Sequence, residues 1–430
     1  MNGRLIAIAG LGLGLGIIGA ALFHGSASVR RVTGPLPNDV YVWQRVWTEP
    51  LHQALEQHAT PFSELVVLAA EVVGSGRSAR VVRVPVDYAF LSQVNRPVGL
   101  ALRVGQLSGP DITADDRARA LGDLAASLIQ EALTNHVRVA ELQIDFDCAT
   151  AKLEGYGIWV KEVRRQIAPV PVIITALPAW LKHPAFKRLV QAVDGFVLQV
   201  HSLERPRGHD APFNLCRPEV ARHAVEQAAR LGKPFRVALP TYGYRLAFDA
   251  KGRWAGLSAE GSPRDWPADH VIREVRADPN SMARLVREWT ANRPATLRGV
   301  IWYRLPVEGD TLNWTWPTLA AVMAGEIPQS SLRSATRRPQ AGLVEVDLIN
   351  DGQAAGTSPV SVILHWRQAR LVAADGLQGI DVVDQGADTI QFRARRDLAR
   401  MQPGERRFIG WLRLNSETEV TSEVRIDNHD

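Results

Sequence analysis

The sequence predicts a (β/α)8 barrel followed by a small β-sandwich, on three observations. Short apolar runs alternate with helical stretches as far as Pro328, several of those runs end in polar side chains, and beyond Pro328 the helices give way to short alternating strands. Strands alternating with helices imply a parallel sheet covered by helices, and strands without helices imply a sandwich. A doubly wound open sheet shares the first observation, but no glycine-rich phosphate loop follows the first strand.

The elements follow in order. Arg4 precedes an uncharged, glycine-rich apolar run from Leu5 to Phe23, long for a signal-peptide core and just sufficient to span a bilayer as a helix. Gly25-Ser26-Ala27 offers small residues for cleavage. Residues 1–31 are therefore either a cleaved export signal or an uncleaved anchor, a transmembrane helix at 5–23 in the inner membrane. Both place the remainder in the periplasm or outside the cell.

The linker Gly34-Pro35-Leu36-Pro37 opens the barrel, expected over 32–328. Its strands read Asp39–Val46, Glu64–Ala70, Pro97–Arg103, Val139–Asp145, Val170–Ala176, Asp194–Val200, Phe235–Pro240 and Gly299–Tyr303. An extra strand is expected over Ala79–Val86. The clearest helices are Ala114–Thr134, Leu153–Gln166, Pro184–Val193, Pro218–Leu231 and Ser281–Asn292, the first opening on acidic residues as a helix N-terminus prefers.

Gln329–Arg338 is polar and arginine-rich, so 329–342 reads as a linker. From 343 to 430 six short strands are expected, beginning with Val344–Ile349 and Val360–Trp366 and separated by turns such as Asn350-Asp351-Gly352. That sandwich either binds carbohydrate through Trp366 or Trp411, or packs on the barrel and binds nothing.

Composition narrows the function. At 430 residues two or three domains are expected, and 46% hydrophobic with 22% charged residues excludes general disorder. The net charge of +5 comes from scattered arginines, and the twelve tryptophans are numerous. Stacking surfaces for sugar rings fit this pattern better than a nucleic-acid groove, which needs clustered cations.

The run Gln143-Ile144-Asp145-Phe146-Asp147 carries the most chemistry. Side chains alternate along a strand, so Leu142, Ile144 and Phe146 share an apolar face and Gln143, Asp145 and Asp147 share the other. Buried carboxylates are costly unless they bind or react with something. Capping the next helix or pairing with arginines is the plainer role; a site where barrel strands end is the functional one. The two Cα atoms lie about 6.5–7 Å apart by strand rise. Glycosidases use two carboxyl groups about 5–5.5 Å apart for retention or about 6.5–9.5 Å for inversion.

Other strand ends repeat the pattern. Gln199 and His201, Trp302 and Arg304, Trp43 and Arg45, Glu71 and Arg103 would converge at the mouth where such barrels hold ligands. Glu204, Glu308 and Asp310 are further carboxylates on loops. Cys148 and Cys216 could form a disulfide at the rim or remain two buried thiols. Two aspartates with His201 could ligate a metal, but no His-x-x-x-His or paired-cysteine spacing accompanies them, so no metal or cofactor is expected.

Three segments resemble the family 18 glycoside hydrolases, the chitinase-like barrels. Asp145-Phe146-Asp147 is similar to the core of the fourth-strand signature, Leu239-Pro240-Thr241-Tyr242-Gly243 to the seventh-strand segment, and Val300-Ile301-Trp302 to the eighth-strand tryptophan that floors the sugar site. The segment Tyr244–Thr296, with a hairpin at Asp249–Gly252, sits where many of those enzymes carry an insertion. The chain as a whole resembles a bacterial domain-of-unknown-function family, number 3142, through Leu142–Asp147, Asn214-Leu215-Cys216 and Phe235–Gly243. The resemblance implies a carbohydrate ligand. The enzyme hypothesis for this chain takes Asp147 as general acid or base and Asp145 as its electrostatic partner, with His201 and Tyr242 orienting substrate and Trp302 stacking on a ring.

Two departures qualify it. Ala149 stands where the family has its acid glutamate, and Gln199-Val200-His201-Ser202 replaces the sixth-strand Met-x-Tyr-Asp. General acid catalysis contributes typically 10²–10⁴-fold, so the family's usual route is doubtful here. A glycosidase using the Asp pair and a non-catalytic glycan-binding barrel in envelope polysaccharide assembly are the two expectations.

Overall fold

The computed structural model describes residues 29–426 apart from 75–79, 106–114, 202–205, 207, 259–265, 357–359 and 396–399. The apolar run 5–23 lies outside the described residues. Among those described, no helix is long and apolar enough to cross a membrane. The transmembrane helix expected at 5–23, the membrane as partner and the inner-membrane location are therefore not supported by any helix among the described residues.

Eight parallel strands form the barrel: β1 (Asn38–Val42), β2 (Leu65–Val73), β3 (Val98–Val104), β4 (Val139–Asp145), β5 (Val172–Ala176), β6 (Gly195–Gln199), β7 (Phe235–Pro240) and β8 (Leu297–Tyr303). Val40 of β1 pairs with Leu65 of β2 on one side and Trp302 of β8 on the other, which closes the sheet. The bounds of β4 and β7 are those expected. β1 is shorter than expected, because the chain leaves the sheet after Val42 and carries Trp43 and Arg45 towards the mouth. The extra strand forms over Arg80–Arg83, antiparallel to β2.

Helices cover the outside: α1 (Glu49–His58), α2 (Tyr88–Gln93), α3 (Asp115–Thr134), α4 (Leu153–Ile167), α5 (Pro184–Gln191), α6 (Pro218–Ala229), α7 (Pro279–Ala291) and α8 (Trp316–Met323). α4 shows why they lie where they do. Tyr156, Trp159, Val160, Val163 and Ile167 recur at helical spacing and are all buried, an apolar stripe that must face the sheet. On β4 the outward residues Leu142, Ile144 and Phe146 meet that stripe, and Phe146 stacks on Trp159 with centroids 5.3 Å apart.

The inward face of the strands is layered. Lowest lie Asp39, Glu64, Glu141 and Arg236, with Arg236 bonded to Asp39 at 3.0 Å, within 3.5 Å of Glu64 and hydrogen-bonded to Glu141. Gly99 makes room for this group, since a Cβ there would sit 2.5 Å from Glu64 Oε1. Above them Tyr41 donates to Gln143 Oε1 at 2.7 Å, among Val66, Ala101, Val197, Ala238 and Ile301. Packed layers of this kind make the barrel interior a core and leave its upper end as the ligand surface.

After β7 the chain builds a three-stranded antiparallel sheet from Gly243–Phe248, Trp254–Ser258 and Val271–Arg276. Asp249 accepts from the backbone N–H groups of Lys251 and Arg253 at 2.9 Å each, shaping the expected hairpin. The C-terminal region is two four-stranded antiparallel sheets packed on a core that includes Leu348, Leu364, Phe392 and Leu412. The stretch expected as a linker contains a strand, Leu332–Gln340, antiparallel to Leu343–Asn350 at a sheet edge. Its arginines are what a solvent-facing edge strand carries. Trp366, expected as a stacking residue, is 2% exposed in the sandwich core, whereas Trp411 is half-buried.

Candidate active site

The site stands at the carboxyl end of β4. Strand alternation points Gln143, Asp145 and Asp147 inward, and the two aspartates have opposite environments. Asp145 is held from three sides. Thr175 Oγ1 of β5 donates to it at 2.9 Å, Gln199 Nε2 of β6 at 3.2 Å, and Arg103 Nε of β3 lies 3.9 Å away. Burial pushes its carboxyl above the ordinary range, while Arg103, Thr175 and Gln199 pull back.

Asp147 is exposed at the rim and accepts no hydrogen bond among the described residues. Surrounding protein nevertheless displaces part of its hydration. That desolvation, with the charge on Asp145 and against the pull of Arg103, pushes it up to about 7. When the pair shares a single proton, the donors around Asp145 favour the ionised form there and leave the proton on Asp147.

Arg103 links the pair to a second group. Glu71 accepts from Arg103 Nη1 at 3.3 Å and takes a two-pronged contact from Arg45 at 2.7 and 2.9 Å. Burial opposes ionisation of Glu71, but Arg45 and Arg103 hold its carboxyl below the ordinary range. Glu71 therefore remains a fixed anion that anchors two guanidinium groups at the mouth.

Aromatic rings line the opposite side. Tyr303 sits among Trp43, Tyr41, Tyr242 and His201, with centroids 5.3–5.7 Å away. His201 lies nearly parallel to Tyr303, and burial pushes its imidazole down to about 4, so it is neutral at pH 7. The Tyr242 hydroxyl is 3.2 Å from His201 Nδ1 and 2.8 Å from the Tyr244 hydroxyl. Trp43 is 4% exposed, and its Nε1 has no partner among the described residues. A buried donor without a partner is costly in a native fold and here lies beside the open mouth.

The structure thus brings Asp145, Asp147, Glu71, Arg103 and Gln199 together on one side and Trp43, His201 and Tyr242 on the other. It does not bring in Trp302. That side chain points outward, is fully buried against Trp314 and donates from Nε1 to Asn38 Oδ1 at 2.9 Å. The inward positions of β8 are Ile301 and Tyr303, so Tyr303 takes the place expected of Trp302. Trp302→Phe, which leaves Asn38 Oδ1 without its donor while Nδ2 still bonds the Leu36 carbonyl, should therefore cost about 1–3 kcal/mol of stability in urea titrations and leave ligand binding intact.

Arg304 lies beyond the end of β8, is buried, and forms an ion pair with Asp310 of the next loop. Glu204 lies outside the described residues. Cys148 and Cys216 are both buried and free, and burial pushes each thiol up to about 12, so no disulfide pins the rim. No group of three or more metal-ligating side chains occurs among the described residues. Tyr41, Thr175, Tyr244 and Tyr303 went unrecognised in the sequence. Thr175 and Tyr303 had a usable signal, strand alternation, but on apolar strands its phase is ambiguous.

Residues 95–308 match the model of a domain of unknown function, DUF3142, and residues 333–415 that of another, DUF8456. No curated protein matches the sequence. Among solved structures, a chitinase from Chromobacterium violaceum ATCC 12472 is 16% identical, with 67% of this chain and 98% of that chain covered and a TM-score of 0.45. The spore cortex-lytic enzyme SleL of Bacillus cereus is 13% identical, with coverage of 69% and 75% and a TM-score of 0.47. The C-terminal domain of a putative chitinase from Desulfitobacterium hafniense DCB-2 is 13% identical, with coverage of 67% and 99% and a TM-score of 0.48.

Proposed function

Starting from a chain that carries a DUF3142 domain on a glycosidase-like barrel, we propose that it hydrolyses a polysaccharide by carboxylate acid/base chemistry at Asp147 and Asp145. The observation that carries this is the contrast between the two aspartates: one hydrogen-bonded and charge-compensated, the other unbonded at the open mouth and titrating near neutrality. Two carboxyl groups pushed apart in this way are how one site supplies an acid and an anion at one pH.

In this reading Asp147 gives its proton to the glycosidic oxygen as the bond to the anomeric carbon breaks. The ionised form of Asp145, which Arg103, Thr175 and Gln199 favour against burial, stabilises the positive charge that develops on the sugar. The Trp43–Tyr303–His201 surface offers ring faces for stacking, and neutral His201 with Tyr242 supplies hydrogen bonds to hydroxyl groups. Water enters from the mouth to complete hydrolysis, and Asp147 recovers a proton from it.

Because the acid must be protonated, kcat/KM should fall as pH rises through about 7, the value to which Asp147 is pushed. A pH–rate profile flat from 5 to 9 would remove Asp147 from the acid role. One observation favours a second reading. Ala149, where chitinase-like enzymes have their acid, is exposed at the same strand exit and supplies no proton donor. A glycan-binding barrel that leaves its ligand intact is the alternative. Product analysis on bound polysaccharides decides between them: shortened products from the parent but not from Asp147→Asn support hydrolysis, and binding without products supports the binder.

A further inference from the structure

A concavity of about 500 Å³, whose lining includes neither aspartate, lies between α1, the loop joining β8 to α8, and the sandwich. Its size is that of a small-molecule site, and boundaries between domains are where such sites concentrate. It follows α1 from Pro50 to His58, about 12 Å at 1.5 Å per residue. That is elongated enough for a short oligomer and more than a single ring needs.

The walls are firm. His58 and Trp316 lie face to face, 4.1 Å apart and 6° from parallel, and Phe62 packs edge-on behind Trp316. The loop is locked by Asn313 Nδ2, which donates to the carbonyls of Arg304 and Leu305 at 3.2 and 3.3 Å, and by Trp314 Nε1, which donates to the carbonyl of Ala277 at 3.0 Å. Burial lowers the His58 pKa, so the stacked pair is uncharged at neutral pH.

The rest of the lining is polar with largely compensated charge. Arg276 pairs with Glu274 and Asp310 with Arg304. Gln57, Thr311 and Gln402 are exposed side chains bordering the space, two from the barrel and one from the sandwich. A half-buried aromatic surface beside amides and a hydroxyl suits a ligand that has apolar ring faces and many uncharged hydroxyl groups. An anion would meet Glu308, and an apolar ligand would strand the amides.

We propose that this cleft is a second saccharide site that takes a neutral oligosaccharide segment, held jointly by barrel and sandwich. The ligand class rests on the carbohydrate reading of the mouth; the site does not depend on any bond being cleaved there.

The test is calorimetric titration of the full chain with chitohexaose, cellohexaose and laminarihexaose. Parent protein is compared with Trp316→Ala, the double variant Gln57→Ala/Gln402→Ala, and Tyr303→Ala in the mouth. The expected result is binding of at least one hexaose that both cleft variants weaken by about tenfold or more and that Tyr303→Ala leaves in place. The double variant alters only exposed side chains, so its effect is not a folding defect. Binding lost in Tyr303→Ala but unchanged in both cleft variants would overturn the cleft and leave the mouth standing. Absence of binding of all three hexaoses to the parent would overturn the cleft as a neutral-saccharide site, while hydrolysis assays would still judge the mouth.

Discussion

Asp147→Asn should reduce hydrolysis by about 10²–10⁴-fold while the folded state keeps or gains stability. The rate loss follows because asparagine keeps the size of the side chain and has no acidic proton to deliver. The stability result follows from linkage. The folded chain raises the Asp147 carboxyl from its ordinary 3.8 to about 7. Between those values it binds the proton more tightly than the unfolded chain does, so the contribution of Asp147 to stability falls as pH rises across that window. Above it the native state carries a carboxylate that its surroundings disfavour, and neutral asparagine relieves this. Product release by the parent and the variant, with urea titrations at pH 5 and pH 8, measures both halves. An active variant would end the acid assignment. A variant destabilised at pH 8 would show Asp147 to be a structural residue.

Arg236→Met should destabilise the barrel by about 3–5 kcal/mol, the range for removing one member of a buried ion group. The Arg236 side chain is 12% exposed and faces Asp39, Glu64 and Glu141. Burial and the neighbouring Glu141 push Glu64 up to about 9, so it holds its proton at neutral pH. Burial also raises Asp39, with Arg236 pulling it back. Without the guanidinium, Asp39 and Glu141 lose their shared counter-ion inside the barrel, and Asp39, already raised by burial, must be protonated or leave. The deficit should therefore shrink as pH is lowered from 8 towards 4.5, which urea titrations at several pH values would reveal. An equal deficit at every pH would mean that the loss is one of packing alone. Arg236 lies two layers below the mouth, so a variant kept folded at low temperature should still bind ligand.

Much of this architecture was legible in the chain. Periodicity located all eight barrel strands, with β4 and β7 at their observed ends, and the alternation in Leu142–Asp147 put both aspartates on the inner face. That worked because β4 carries apolar and polar residues on opposite faces, so its phase can be read. β8 carries Val300, Ile301, Trp302 and Tyr303 in succession, apolar on both faces. Nothing in that run says which residue faces inward, and Trp302 and Tyr303 exchanged places. The segment 329–342 misled for a related reason: an edge strand facing solvent has the composition of a linker, and only its pairing with Leu343–Asn350 identifies it.

The sequence by itself determined the fold class, the aspartate pair and most of the polar side chains at the mouth, because local alternation and strand–helix order are properties of neighbouring residues. Which aspartate is held and which is free was decided only by tertiary structure. Thr175, Gln199 and Arg103 come from three different strands, as far as 54 residues from Asp145 in the chain, and meet because the sheet closes. The same closure buries Arg236 among three carboxylates and sets Tyr303 against Trp43 and His201. Proton affinity and ring stacking depend on what surrounds a group in space, and no spacing along the chain encodes that.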